Sequence, residues 1–484
     1  MRTIIAVLNK KGENAAPAVI TALKSLLLEH PEGYGIASSS KLINEKDLER
    51  LQEKSINSSI ILGCAFSRIL PGDKPPLTKL DKATLAFEGR IYSPIQATSV
   101  GKRFTTKTSR GRDTAIESFI RRTEGDFSLL IAEPERIVAG RDPVGVQPLY
   151  YGENVALVAL ASNRKTLWKL GIKETRSFPP GHLALVSREG IKFKPVKTPV
   201  FSKPKNTTMQ EAVATLQRLL ERSVRQRVRD VNEVAVAFSG GLDSSTIAFL
   251  AKKCQANVHL IHVSLRDRPE TEEAKKAAEE LRLPINVYLF REEDVAKVAA
   301  KVVELVEEPD PVKAAIGIPF YWTAEKAKEY GLQVLLAGQG ADELFGGYQR
   351  YVNDFLACGE ETVRKNMYDD IARLHESNIE RDAKICNFHG VGLRLPFASY
   401  RIVEFAISLP LEMKIDKNQN SLRKLVLRKA AENMGLPSFI SNKPKKAVQY
   451  ATGISLALKK TAKKQKTTVS EYVSRLFQES SFNS

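Results

Sequence analysis

The sequence has few cysteines for its length. Its 484 residues include four, Cys64, Cys254, Cys358 and Cys386, and their spacing matches neither a zinc site nor a dithiol motif. Four scattered thiols exclude a disulfide scaffold, and a chain of this length with 43% hydrophobic residues can bury a core without one. We therefore expect two or three globular domains in a reducing, cytoplasmic compartment.

Long apolar runs are also missing. The first residues, "MRTIIAVLNKKGEN", hold one apolar run, "IIAVL", which is too short for the core of a signal peptide. No run of about twenty apolar residues occurs in the chain. The sequence therefore predicts neither a secretory signal nor a membrane-spanning helix.

Acidic residues are outnumbered by basic ones. The chain has 74 Lys and Arg against 56 Asp and Glu, a formal net charge of +18. This charge favours nucleic acid, an anionic surface or a polyanionic small substrate as partner, and it does not distinguish among them. We interpret the lysines from Lys459 to Lys466 as the solvated face of a helix, in preference to a binding patch.

The pattern of apolar runs divides the chain in two. Residues 1–194 contain short strand-like runs such as "TIIAVL" and "SIILGCAF", which predict an α+β or sandwich domain. Residues 195–208 hold three prolines among polar residues and predict an extended linker. From 209 to 484, strands such as "VAVAF" and "VHLIHVSL" alternate with helices, which predicts a doubly wound parallel sheet. After about residue 350 we expect no further strand, so the last part should be a helical layer.

The most informative motif is "SGGLDSS", residues 239–245, which lies between the strand "VAVAF" and a helix. Gly240 and Gly241 allow the backbone to approach an anion, and the free N–H groups of the new helix point at the same place. An aspartate beside phosphate requires a divalent cation, so Asp243 is a candidate magnesium ligand. Because the motif lacks the GK[ST] ending of the Walker loop, it favours binding of the pyrophosphate that leaves ATP.

A second motif, "VLLAGQGADELFGGYQRY" at 334–351, repeats this arrangement at the end of another strand. Read alone, "DELFGG" could be a helix N-terminus with an acidic first turn. Read with the first motif, Asp342 becomes the expected second carboxylate on the metal. The two motifs together predict a magnesium and ATP site at one edge of the sheet.

These motifs resemble those of glutamine-dependent asparagine synthetases. "SGGLDSS", "GADELFGGY", "RLPF" and "KPKK" occur in the order and spacing of the synthetase domain, and "GRDPVGVQPLYYG", "ASNRKTLWKLGI" and "PPGHL" resemble the glutaminase domain. The resemblance implies an N-terminal αββα sandwich of the Ntn-hydrolase type, followed by a PP-loop ATP pyrophosphatase domain. It also implies a reaction in which a carboxylate, expected to be aspartate, attacks the α-phosphate of ATP and an amine opens the acyl-adenylate to an amide.

The resemblance also implies site residues by position. Those that would hold pyrophosphate are Ser239, Gly240, Gly241, Asp243, Ser244 and Ser245. Those that would line the adenosine site are Ala237, Val263, Ala337 and Gly338. Those implied in catalysis are Lys445, Lys424, Asp342 and Gln339, with Asp243 and Asp342 as the magnesium ligands.

The N-terminal half departs from the family at its catalytic positions. The family's glutaminase uses a cysteine at position 2, where this chain has Arg2. In "FEGRIYSP", Glu88 replaces the asparagine that should donate to the oxyanion, and Arg90 replaces the glutamate that should bind the substrate's ammonium. We therefore expect this domain to keep the fold without hydrolysing glutamine.

The synthetase half departs in fewer places. Gln339 stands where the family has glutamate, and an amide can form hydrogen bonds but cannot act as a base, which favours ammonia or a good external amine. We expect small carboxylate and amine substrates, a possible separate ammonia source, and a homodimer as one candidate state. A tRNA-modifying enzyme and a non-enzymatic ATP-binding regulator stay open as alternatives, although no dedicated RNA-binding module is recognised.

Overall fold

The computed structural model describes residues 2–24, 31–54, 56–94, 100–105, 108–416, 422–444 and 448–482. The chain forms two compact units, Met1–Thr198 and Pro199–Ser484. None of the described helices is long and apolar enough to cross a membrane. Lys445, one of the predicted site residues, lies outside the described residues.

The first unit contains two antiparallel sheets. One sheet has the strand order β11-β9-β10-β1-β4-β2-β3 and the other β13-β12-β8-β7-β6-β5, where the strands are β1 Arg2–Asn9, β2 Gly33–Ala37, β3 Leu42–Glu45, β4 Ile60–Phe66, β5 Leu77–Leu80, β6 Ala83–Ser93, β7 Glu124–Ala132, β8 Ile137–Arg141, β9 Tyr150–Glu153, β10 Leu157–Ala161, β11 Thr175–Ser177, β12 His182–Ser187 and β13 Gly190–Pro195. Its described helices are α1 Ala16–Lys24, α2 Leu48–Glu53, α3 Val100–Arg103, α4 Ser109–Arg122 and α5 Arg164–Lys169.

Side-chain alternation on the strands explains how these elements stack. On β1, Ile4 and Leu8 join the core between the two sheets, whereas Ile5 and Val7 join a second core beneath α1, α2 and α5. A third core packs α4 on the outer face of the other sheet. Both faces of each sheet are therefore covered, and the unit is the predicted αββα sandwich.

The second unit is built on a parallel sheet with the order β16-β15-β14-β17-β18, where the strands are β14 Glu233–Ala237, β15 Asn257–Leu265, β16 Ile285–Phe290, β17 Val334–Leu336 and β18 Gly392–Arg394. Its described α-helices are α6 Met209–Val228, α7 Leu242–Lys253, α8 Pro269–Leu281, α9 Glu292–Val306, α10 Pro311–Glu329, α11 Ala341–Phe345, α12 Gln349–Cys358, α13 Glu360–Ala372, α14 Glu380–Phe388, α15 Tyr400–Ser408, α16 Leu425–Met434, α17 Ser438–Ser441, α18 Val448–Ala451, α19 Ile454–Lys464 and α20 Val469–Phe482, with a π-helix at His375–Ile379 and 3₁₀ helices at Pro396–Ala398 and Leu411–Met413.

The strand order identifies where this sheet binds ligands. Successive strands β14, β15 and β16 extend the sheet in one direction, and β17 returns to the other side of β14. Open parallel sheets bind ligands beyond the carboxyl ends of their strands at such a reversal. The turns that follow β14 and β17 are therefore neighbours, and they carry the two sequence motifs.

The strand β18 corrects the expectation that no strand follows residue 350. Gly392–Arg394 pairs with β17, for example through Leu393 opposite Leu335. Three residues are too few to show an alternating pattern, and this strand exists because β17 offers it a hydrogen-bonding edge. The remaining regular elements described after Tyr348 are helical, as predicted.

Candidate functional site

One position of the turn after β14, residue 240, accepts only glycine. Gly240 has φ +66°, and a Cβ there would lie 2.7 Å from the Cα of Ala274 on α8. Gly241 is the N-cap of α7. The backbone N–H of Ser239 donates to Oγ of Ser244 at 3.2 Å, and that of Gly241 donates to Oγ of Ser239 at 3.3 Å. Hydroxyls and free helix N–H groups thus converge at one edge, an arrangement that suits phosphate.

One predicted pyrophosphate ligand is not part of this edge. Ser245 has no exposed surface, and its backbone N–H donates to the carbonyl of Gly241 at 3.0 Å. Consecutive helical residues point about 100° apart, so Ser244 and Ser245 cannot both face the turn. The structure therefore does not bring the Ser245 hydroxyl into the site.

The turn after β17 packs directly against the first turn. A Cβ on Gly338 would lie 3.0 Å from Cβ of Asp243, so the small residue allows the two turns to touch. Asp342 lies in the first turn of α11. A Cβ on Gly347 would lie 1.9 Å from Oδ1 of Asp342 and 2.4 Å from Cε of Lys424. Glycine at 347 therefore makes room for the carboxylate and the lysine together.

Lys424 joins the two carboxylates. Its Nζ lies 2.8 and 2.7 Å from the two Oδ atoms of Asp243 and 2.8 Å from Oδ1 of Asp342. Lys424 is 2% exposed and adopts φ +62°, which is uncommon for a residue with a side chain. Three predicted residues from distant parts of the chain thus meet at one point.

The donor set at this point suits magnesium. Two carboxylates with neighbouring hydroxyls are the hard oxygen ligands that the ion prefers, and Mg²⁺ commonly takes one or two carboxylates and completes its shell with water and substrate phosphates. Within the described ranges no group of three or more His, Cys, Asp or Glu side chains could hold a metal. Asp243 and Asp342 would therefore hold the ion only together with phosphate oxygens.

The predicted adenosine residues lie at the same edge of the sheet. Ala237 ends β14 opposite Ile261, and Val263 lies two residues further along the neighbouring strand β15. Ala337 follows β17, and its N–H donates to the carbonyl of Arg394 at 3.3 Å. Val263 and Ala337 are buried, and Ala237 is half-buried. These side chains are short and uncharged, which suits contact with a flat ring.

Gln339 contacts one member of a buried ion pair that the sequence did not point to. Its Nε2 donates to Oδ2 of Asp382, in a short hydrogen bond. Asp382 also accepts from Nε of Arg381 at 2.7 Å, and both residues lie on α14 with 2% exposure or less. A buried ion pair therefore fixes the side chain of Gln339, and the carboxylate nearest to it belongs to Asp382.

Glu343 forms a second buried cluster next to Asp342. Its Oε1 accepts from the hydroxyl of Tyr348 at 2.5 Å and from Nδ2 of Asn378 at 2.7 Å. Burial, and next the charge of Asp342, raises the pKa of Glu343. A carboxyl with a raised pKa beside a candidate site is a typical position for a proton acceptor or donor. The motif "GADELFGGY" contains Glu343 and Tyr348, but Asn378 carries no sequence signal.

The segment "KPKK" contributes one lysine that contacts the glycine turn and two that lie outside the described residues. Nζ of Lys443 lies 3.4 Å from the carbonyl oxygen of Gly240 and 2.8 Å from Oε2 of Glu273. Lys443, which was not predicted, therefore contacts the glycine turn. Lys445 lies outside the described residues, so its implied role stays a prediction.

In the first unit, Glu88 and Arg90 stand at positions of the expected glutaminase site, and both have polar partners. Glu88 is 3% exposed and accepts from Oγ of Ser162 at 2.5 Å. The same Oγ accepts from the backbone N–H of Ile4 at 3.0 Å, two residues after Arg2 on β1. Nη2 of Arg90 donates to Oδ1 of Asp73 at 3.1 Å. A carboxylate and an ion pair thus occupy the positions where neutral and acidic ligands of glutamine were expected.

Comparison with protein families gives matches in both units. A model described as asparagine synthase matches residues 215–358 and 356–483. A model described as glutamine amidotransferase domain matches residues 67–169. The first match contains both glycine turns and Lys424, and the second contains Glu88 and Arg90.

Individual proteins similar to this chain carry the name of the same family. A Methanocaldococcus jannaschii protein that carries the name of a glutamine-hydrolyzing asparagine synthetase is 30% identical, over 98% of this chain and 98% of its own length. The glutamine-hydrolyzing asparagine synthetase of Sandersonia aurantiaca is 29% identical, over 79% of this chain and 76% of its own. The corresponding protein of Triphysaria versicolor is 26% identical, over 79% and 68%.

Proposed function

This chain belongs to the asparagine synthetase family of ATP-dependent amide ligases, and from that premise we propose that it adenylates aspartate and forms an amide with ammonia rather than with glutamine. The adenylation step is supported by the contacts of Lys424 with Asp243 and Asp342. These residues lie beside a glycine turn, at the point where the strand order of the parallel sheet reverses. The observation that carries the choice of ammonia is the set of residues Arg2, Glu88 and Arg90 in the first unit.

In the proposed first step, a carboxylate oxygen of the substrate attacks the α-phosphorus of ATP. The bond between the α-phosphorus and the bridging oxygen breaks, and pyrophosphate leaves. The turn at Ser239, Gly240 and Gly241 would hold the leaving group through N–H and hydroxyl donors. Asp243 and Asp342 would hold magnesium, which when bound offsets the negative charge of the phosphates. Lys424 would add a fixed positive charge at the same place.

In the proposed second step, ammonia attacks the acyl carbon and AMP leaves. Gln339 would contact the incoming amine by hydrogen bonding, and Glu343 is the nearby carboxyl whose pKa is raised by burial. Lys445 would stabilise the charge that develops as the amide forms, as the family resemblance implies. Ammonia would come from solution or from a separate protein, and small molecules rather than nucleic acid would be the substrates.

The proposal that glutamine is not hydrolysed rests on charge. A tetrahedral intermediate carries a negative oxygen, which needs donors and not the carboxylate of Glu88. The ammonium of glutamine would meet the guanidinium of Arg90 instead of an acid. The names of the relatives describe glutamine-hydrolyzing enzymes, and we propose that this chain differs from them in that half-reaction.

The test supplies the purified protein with ATP, Mg²⁺ and aspartate, and with either ¹⁵N-ammonium or glutamine labelled in its side-chain amide. We expect AMP and pyrophosphate in equal amounts, ¹⁵N-asparagine from ammonium alone, and no glutamate release. Asp243→Asn is the matched control, because it keeps the shape of the turn but removes its charge. Formation of ADP would reject the adenylation step, whereas labelled asparagine from glutamine would reject only the choice of ammonia.

A further inference from the structure

A small cavity in the second unit carries two positive charges. It lies among α13, α15 and the 3₁₀ helix Leu411–Met413, and it has room for a group about the size of one water molecule. Most of its wall is apolar, with Met367, Ile371 and Leu411 among the lining residues. The charged residues that line it are Arg364 and Lys414, and none of the described lining residues is acidic.

Lys414 has no counter-charge in this cavity. It is 4% exposed, and within the described ranges no carboxylate or carbonyl accepts a hydrogen bond from its Nζ. Removing an ammonium from water is costly unless an anion or several acceptors replace the solvent. Burial, and next the charge of Arg364, lowers the pKa of Lys414 to about 7. The charged form of Lys414 is therefore costly in this cavity unless an anion enters it.

Arg364 increases the positive charge without closing the space. Its Nη1 donates to Oε2 of Glu361 at 2.9 Å, and its Nη2 donates to the carbonyl of Ser202. Glu361 is mostly exposed and does not line the cavity. Both terminal nitrogens of the guanidinium thus have partners that do not line the cavity, and its face lies over the ring of the lining residue Phe201 at 5.2 Å.

We propose that this cavity is a binding site for one small monovalent inorganic anion of halide size, held between Lys414 and Arg364. A single chloride would supply the one counter-charge that Lys414 lacks, since Arg364 is already paired with Glu361, and a halide ion is among the smallest anions that could enter a space of this size. Phosphate and sulfate are too large for that space, and the hydroxyl of the lining residue Tyr368 already donates to the carbonyl of Pro199 at 3.1 Å. The proposal does not depend on the reaction proposed above.

The anion would adjoin the candidate site without touching it. The backbone carbonyl of Lys414 accepts from the N–H of Leu425 at 3.1 Å, and Leu425 follows Lys424 at the start of α16. A Cβ on Gly346, the C-cap of α11, would lie 3.5 Å from Cβ of Lys414. An occupied cavity would therefore stabilise the segments that carry Lys424 and Asp342.

The direct test is bromide, which replaces chloride and gives an anomalous diffraction signal. Crystals of the full chain grown without halide are soaked in sodium bromide, and we expect an anomalous peak between Lys414 and Arg364. Lys414→Met, an apolar residue of similar length, should lose the peak. Lys297→Met, which changes an exposed lysine on α9, should keep it.

A solution measurement keeps the proposal testable if crystals are not obtained. We expect sodium chloride to raise the Tm of the wild type above its value in sodium gluconate of equal ionic strength, and the Lys414→Met variant to show no such difference. Arg364→Gln gives a second test if Lys414→Met fails to fold. The proposal would be overturned if bromide peaks appeared only on surface lysines. It would also be overturned if sulfate raised the Tm of the wild type as much as chloride does, or if chloride raised the Tm of Lys414→Met as much as that of the wild type.

Discussion

At the residue scale, Lys424 is the side chain on which the candidate site depends most directly. Its ammonium separates two carboxylates that would otherwise face each other at short distance. The side chains of Asp243 and Asp342 are 15% and 18% exposed, so solvent screens their repulsion only in part. We therefore expect the lysine to stabilise the fold as well as the proposed chemistry, and the two effects can be measured separately.

We predict that Lys424→Met lowers the free energy of unfolding by roughly 3 kcal/mol in metal-free buffer, since it leaves the two carboxylates without a cation. Added Mg²⁺ should raise the Tm of the variant more than that of the wild type, because the ion replaces the missing charge. AMP formation should fall by at least about a hundredfold. Urea unfolding, thermal melts with Mg²⁺ and AMP assays measure the three effects.

Lys429→Met is the control for this prediction, because Lys429 is exposed on the same helix. It should behave as the wild type in all three measurements. A Lys424→Met protein that formed AMP at the wild-type rate would contradict the role we give to the lysine.

The second prediction at the residue scale concerns Lys414 and the pH dependence of the free energy of unfolding. Its pKa falls from an ordinary 10.5 to about 7 in the folded protein, so between these values the unfolded chain holds a proton that the folded chain does not. The free energy of unfolding should therefore rise with pH across this window, by on the order of a few kcal/mol in halide-free buffer. Urea unfolding of wild type and Lys414→Met at several pH values gives the difference, which should shrink as pH increases. Parallel pH profiles of the two proteins would count against it.

Sequence reasoning found part of the site at this scale. Asp243 and Asp342 each follow a strand at a glycine turn, so their proximity could be predicted, and the family resemblance added Lys424. Arg381, Asp382 and Asn378 could not be predicted, because they lie on helical segments without a motif and reach the site through tertiary packing. Whether these residues bind ATP, magnesium or substrate stays a prediction.

At the element scale, the glycine turn after β14 allows a matched comparison. Gly240 has φ +66° and a backbone atom 2.7 Å from its would-be Cβ. Gly241 has φ −91°, and its would-be Cβ meets the side-chain Oγ of Ser239 at 3.3 Å. The same substitution at two neighbouring residues therefore separates backbone strain from the mere presence of a methyl group.

We predict that Gly240→Ala lowers the free energy of unfolding by about 2 kcal/mol and lowers AMP formation, because the turn must shift away from α8. Gly241→Ala should cost less than about 1 kcal/mol. Urea unfolding and AMP formation are measured on both variants. Equal effects at the two positions would show that the turn conformation is not what the site requires.

Elements differ in how far the sequence predicts them. The strand, turn and helix at 233–253 were predicted because an apolar run, two glycines and a helical pattern follow one another. The strands β2, β9 and β18 were not predicted, since they are short, and β2 and β9 contain glycine and tyrosine in place of a clear apolar alternation. Their existence depends on pairing with neighbours that are distant in the chain.

At the scale of the whole molecule, the two units differ in how their sites relate to the family. The second unit brings together a glycine turn, two carboxylates and a lysine, whereas the first has charged residues where ligands of glutamine are expected. Glu88 accepts a hydrogen bond from Ser162, which also binds the backbone of Ile4. Glu88 and Ser162 are both buried inside the complete fold of the first unit, so the charged residue at position 88 is compatible with the sandwich framework.

The last prediction is that Arg2→Cys alone creates no glutaminase, even after removal of the initiator methionine. The thiol and its amine would supply a nucleophile and a base, but Glu88 would repel the oxyanion, and losing one oxyanion donor already costs about a hundredfold or more in rate. Arg90 would also repel the ammonium of glutamine. Glutamate release is measured on variants whose N-termini have been sequenced.

Recovery should require Glu88→Asn and Arg90→Glu in addition, and the structure adds a further condition. Asp73 lies 3.1 Å from Nη2 of Arg90, so a glutamate at position 90 would meet a second carboxylate. We therefore expect the triple variant to gain activity only when Asp73→Asn accompanies it. Hydrolysis by Arg2→Cys alone would contradict the position we give to Glu88 and Arg90, and hydrolysis by the unmodified protein would contradict the proposed use of ammonia.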